Sequence, residues 1–116
     1  MIRDLNYRVV RLAVPSGANT TSSYADIKNA SLISFRIPAG YDGGAITIQA
    51  SDIESGTFVD VYDSAGNLLT VPVGGADRVV SLTGAFLQAV SSLRFIKLKC
   101  ASNVGANREI VLIGKG

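Results

Sequence analysis

The chain has no histidine and one cysteine, Cys100. The commonest zinc ligand and the usual general base are therefore both missing, and a lone thiol cannot build an internal disulfide framework. A conventional serine triad is excluded, and no lysine or N-terminal threonine context replaces it. Tryptophan, a strong sugar-stacking side chain, is also absent. No apolar run has signal or transmembrane length, because residues 1–12 interleave charge with apolar side chains. The expectation is a soluble, non-enzymatic protein made without an export signal, needing no cofactor and touching no membrane.

A chain of 116 residues has the usual size of one domain. Surface scaling leaves roughly 6,000 of about 17,500 Å² exposed on folding, enough burial to fold without staples. The net charge of +2 gives no reason to expect direct nucleic-acid binding. Its distribution is uneven. Between Arg36 and Arg78 every charge is negative (Asp42, Asp52, Glu54, Asp60, Asp63, Asp77), and from Arg78 onward Glu109 is the lone acid among six cations. These are either solvated faces that mix in space or two regions that meet on adjacent copies, where complementarity would set register.

Local pattern points to strands. Ile33, Phe35 and Ile37 alternate with Ser34 and Arg36, and Ile46, Ile48 and Ala50 repeat the period after a glycine-rich break at residues 38–44. Residues 58–62 and 68–71 flank a short loop with Gly66, the pattern of a hairpin. Residues 93–100 and 108–113 alternate most sharply, placing Cys100 inward with Ile96 and Leu98 as a buried structural thiol. Residues 83–90 alone have helical character, with Phe86 and Val90 on one face of a short plug. Residues 5–14 read as an edge strand or extended arm, and residues 15–23 as a mobile polar loop. Seven or eight short strands at about ten-residue spacing predict an all-β fold, an antiparallel β-sandwich of jelly-roll type with one helical turn. The expected division is an N-terminal strand or arm and loop over 1–22, then a single sandwich domain over 23–116.

Potential ligand groups have plain structural readings. Asp63 and Asn67 could offer oxygens to a calcium ion, but a turn capped by its own side chains explains them more simply. The glycines of residues 40–44 and 74–75 lack the lysine and following helix of a phosphate cradle. Tyr41, in a glycine-rich turn, is a candidate contact residue. So is Phe95, which alternation places on the face of Lys97 and Lys99, where a second sheet or a neighbouring subunit would have to cover it.

The segments Ser34-Phe35-Arg36-Ile37-Pro38-Ala39-Gly40-Tyr41, Ala45-Ile46-Thr47-Ile48-Gln49-Ala50-Ser51 and Phe58-Val59-Asp60-Val61-Tyr62-Asp63, with Leu93-Arg94-Phe95-Ile96-Lys97-Leu98-Lys99, resemble small structural proteins of tailed bacteriophages. The resemblance implies a virion component, best matched by a head decoration or cement protein that bridges capsid subunits. It implies the major capsid protein or another virion protein as partner, a homo-oligomer with a trimer favoured, synthesis in the host cytoplasm and residence on the head. Arg3, Arg8 and Arg11 in the N-terminal strand or arm then become candidate contacts. A tail or head-tail connector component is one alternative, and a carbohydrate-binding adhesin module, with exposed coplanar aromatic rings, is another.

Overall fold

A computed structural model describes residues 8–28, 30 and 32–115. The inward and outward assignments made by alternation are the ones observed. In β3 (Leu32–Ile37) Ile33, Phe35 and Ile37 are buried while Ser34 and Arg36 reach outward. Ile46 and Ile48 of β4 (Ile46–Ser51) and Ile96, Leu98 and Cys100 of β8 (Phe95–Cys100) do the same from the opposite side of the core.

The remaining strands are β1 (Arg8–Val14), β2 (Ala25–Asp26), β5 (Val59–Asp60), β6 (Thr70–Val71), β7 (Arg78–Ser81) and β9 (Arg108–Lys115). One sheet has the order β1-β9-β3-β7; the other runs β2-β8-β4-β5, with β6 also on β4. All pairings are antiparallel. The partnerships nest: β1 with β9, β2 with β8, β3 with β7, and β4 with β5 and β6. That is a long antiparallel ribbon rolled on itself into two facing sheets, the jelly-roll order. The sheets meet over Leu12, Phe35, Ile48, Leu98, Ile110 and Leu112, each at most 2% exposed.

Three local outcomes refine the sequence reading. First, β1 is an edge strand of the sandwich and not a free arm: it pairs with β9 from Arg8↔Gly114 to Val14↔Arg108 and fully buries Leu12 and Val14. Second, the loop expected to be mobile is pinned. Gly17 N–H donates to Val104 O at 2.8 Å, Thr21 N–H to Leu98 O at 3.0 Å and Ser22 N–H to Ala13 O at 2.9 Å. The buried Thr21 hydroxyl in turn accepts from Leu98 N–H at 3.2 Å. Its backbone amides and the Thr21 hydroxyl are paired with neighbouring segments, while Ser16, Ser22 and Ser23 stay exposed.

Third, β5 and β6 lie end to end along the same edge of β4, Asp60 opposite Gln49 and Thr70 opposite Thr47. Between them the chain leaves the edge as a small hairpin closed by the Tyr62↔Leu68 bridge. The Asp63 carboxylate accepts from the N–H groups of Ala65 and Asn67, each at 2.9 Å. Gly66, at φ 85°, supplies the left-handed position that closes the turn.

The short helix α1 (Gly84–Ser91) lies between β7 and β8 and buries Val90 completely, with Phe86 half-buried against the core.

Candidate protein-contact surfaces

The outer face of the second sheet assembles around Phe95. Its outward position on β8 would expose a large ring, yet Phe95 is only 6% exposed because neighbours cover it. Tyr24, just before β2, meets it edge-on at 5.4 Å between centroids, and Phe58 stacks on Tyr24 at 6.2 Å. The Arg94 guanidinium lies 4.8 Å from the Phe95 centroid, and the Lys97 ammonium 4.8 Å from that of Phe58. The tyrosine hydroxyl bonds the Glu54 carboxylate, and that bond, with a smaller contribution from burial, raises the Tyr24 pKa above its usual value.

Two cations are thus held over rings in defined positions, and such contacts contribute about 0.5–1 kcal/mol each at exposed sites. Lys99 stands two residues along the same face. Beside it an open groove of about 430 Å³ is lined by Asn19, Thr47, Asp60, Leu68, Thr70 and Lys99, among others. Phe95, Lys97 and Lys99 therefore share one surface, as alternation indicated. Tyr24 and Phe58 complete it, and only the folded sheet brings them there from distant turns.

The other candidate residues are elsewhere. Tyr41 is half-buried at one end of the sandwich, its hydroxyl donating to Gly44 O at 2.7 Å. Burial first, and then contact with the Cys100 thiol, pushes its pKa far above the tyrosine range; burial likewise raises that of Cys100. Neither group is poised to react near neutral pH. Asp42 beside Tyr41 accepts from Gly105 N–H at 3.0 Å and from Arg108 Nε at 3.3 Å. Those contacts, the backbone one larger, hold its carboxyl below the usual range.

Arg8 donates to the carbonyls of Asp26 and Lys28, at 2.6 and 2.5 Å, so its guanidinium ties β1 to the end of β2. Arg11 is exposed and pairs with Glu109 at 3.0 Å on the neighbouring strand. Arg3 lies outside the described residues. Among the described residues no group of three or more acidic or cysteine side chains could hold a metal ion, and Asp63 Oδ1 accepts from two amides of its own turn.

No protein-family model, curated protein or solved structure matches this chain.

Proposed function

We propose that this chain is a non-enzymatic structural protein of a tailed-phage virion, a capsid decoration protein that bridges neighbouring capsid subunits. The sequence resemblance across β3, β4, β5 and β8 supports the virion setting. The observation that carries the contact role is the prearranged cationic face of the second sheet. Arg94 and Lys97 are already fixed over Phe95 and Phe58, so little side-chain freedom is lost when a partner binds. Such a face suits an acidic, flat partner surface repeated on a lattice, where many weak contacts add through multivalency. The rings of this cluster are covered by one another and by cations, an arrangement that favours protein contact over sugar stacking.

The test is immunoelectron microscopy of particles from lysates of the source, using an antibody raised against the chain. Regular labelling over the head is the expected result. Label confined to a tail or a ring at the neck would replace this reading with the connector alternative, and particles without label would overturn it.

A further inference from the structure

The chain contains a single Asp-Gly step, Asp42-Gly43, and no Asn-Gly step. At such a step the main chain can rearrange without a partner. The glycine nitrogen attacks the aspartyl carboxyl carbon, one carboxyl oxygen leaves as water, and a five-membered imide results. Water then opens the imide at either carbonyl. One opening restores the original chain; the other routes the backbone through Cβ and Cγ of the aspartate and leaves its α-carboxyl as a side group. Glycine favours ring closure because no Cβ crowds its nitrogen or restricts its torsions.

Packing builds this step into the fold. A Cβ at Gly43 would stand 2.7 Å from the Tyr41 hydroxyl and 2.9 Å from Cys100 Cβ, so a residue that would slow closure meets a steric penalty at the same position. Water reaches the aspartate, whose side chain is 45% exposed. What opposes the reaction is the way the carboxylate is held. Oδ2 accepts from Gly105 N–H at 3.0 Å and Oδ1 from Arg108 Nε at 3.3 Å, donors 63 and 66 residues away in the turn before β9 and at its first residue. Closure requires the carboxyl carbon to align with the Gly43 nitrogen, and one oxygen must depart. Whichever oxygen departs, one of the two bonds is lost. The same contacts keep the carboxyl ionised below the ordinary range, which makes the neutral acid that loses water scarce near neutral pH.

We infer that Asp42-Gly43 is the site at which this chain isomerises its own backbone, and that the Gly105 amide and the Arg108 guanidinium restrain the reaction while the fold is intact. The product inserts one carbon into a turn fixed by the Ser102 N–H bond to Gly43 O at 2.9 Å and the Tyr41 hydroxyl bond to Gly44 O at 2.7 Å. Isomerised copies therefore lose order at this end of the sandwich. The inference needs no partner and is independent of the virion reading.

Incubation of the full chain in heavy-oxygen water at mildly acidic pH tests it, with peptide mapping to read isoaspartate and the incorporated solvent oxygen at each aspartate. The native wild type is compared with the wild type unfolded in denaturant, with Arg108→Gln, and with Arg8→Ala, which loosens the far end of β1 and leaves the Asp42 contacts in place. The expected result is that Asp42 isomerises fastest of the aspartates in the unfolded chain and more slowly in the native one. Arg108→Gln should raise the native rate roughly twofold to fivefold, the factor that loss of one partly exposed ion pair gives, and Arg8→Ala should leave it unchanged. Arg108→Lys, which keeps the charge without the Nε donor, serves if Arg108→Gln does not fold, and should give a smaller increase. A native wild type that isomerises at Asp42 as fast as the unfolded chain would overturn the inference. So would Arg108 variants at the wild-type rate, an Arg8→Ala acceleration equal to theirs, or an unfolded chain in which another aspartate leads.

Discussion

Arg36 Nη2 lies 2.6 Å from Asp77 Oδ1, and Asp77 is the one described residue other than glycine with a positive φ, 57°. The pair joins β3 to the residue that leads into β7, while Asp77 N–H donates to Pro38 O at 3.2 Å. An L side chain in this left-handed conformation costs roughly 1–2 kcal/mol, though aspartate tolerates it better than most. Asp77→Ala keeps the unfavourable backbone and loses the pair, so thermal unfolding should show a loss of about 1 kcal/mol or more. Asp77→Gly relieves the backbone and should remain near wild type. Equal losses from the two substitutions would show that the ion pair outweighs the conformation.

Arg8 holds the two sheets together at one edge through the Asp26 and Lys28 carbonyls. Hydrogen bonds from a charged donor contribute about 1.5–3 kcal/mol. Arg8→Ala should lower unfolding free energy within that range and speed amide hydrogen exchange across residues 25–28. Arg8→Lys, with a single ammonium in place of a fork, should recover only part of it.

Gly43 is closely packed although its own φ is ordinary. A Cβ there would stand 2.7 Å from the Tyr41 hydroxyl and 2.9 Å from both Cys100 Cβ and the Tyr41 ring. Gly43→Ala should therefore destabilise by about 1–3 kcal/mol, the usual cost of overpacking. Tyr41→Phe added to it should not rescue stability, since the ring carbon and Cys100 Cβ still obstruct. Denaturant unfolding of the single and double variants distinguishes these contributions.

Asp42 gives the fold an acid-sensitive contact. Its carboxyl is held below the ordinary value of 3.8 by the Gly105 amide first and by Arg108 next. A pKa depressed in the folded state contributes stability that is present above the unfolded value and is lost as pH falls through the folded one. Stability should thus decline below about pH 4, and Asp42→Asn should flatten that decline while lowering stability at neutral pH. A pH series of thermal unfolding for the two proteins reads both effects.

Much of the core is legible in the sequence, for a local reason. Side chains on a strand alternate whatever its partner, so Ile33, Phe35 and Ile37 declare one inward face and Phe95, Lys97 and Lys99 one outward face. The hairpin turn is legible too, because Asp63 and Gly66 act on their own backbone. Residues whose partners are distant are not. Arg8 reads as a contact residue on an arm, but its guanidinium is engaged by carbonyls 18 and 20 residues away. The polar loop around Thr21 reads as mobile, yet that threonine bonds Leu98 across 77 residues.

Composition and alternation by themselves determined a β-sandwich with a buried thiol, because those properties follow from single side chains and the pleat of one strand. Strand order, the covering of Phe95 by Tyr24, and the excursion between β5 and β6 were decided by tertiary structure alone. Each depends on which distant segments become neighbours, a choice fixed by the packing of the whole core and written in no local period of the chain.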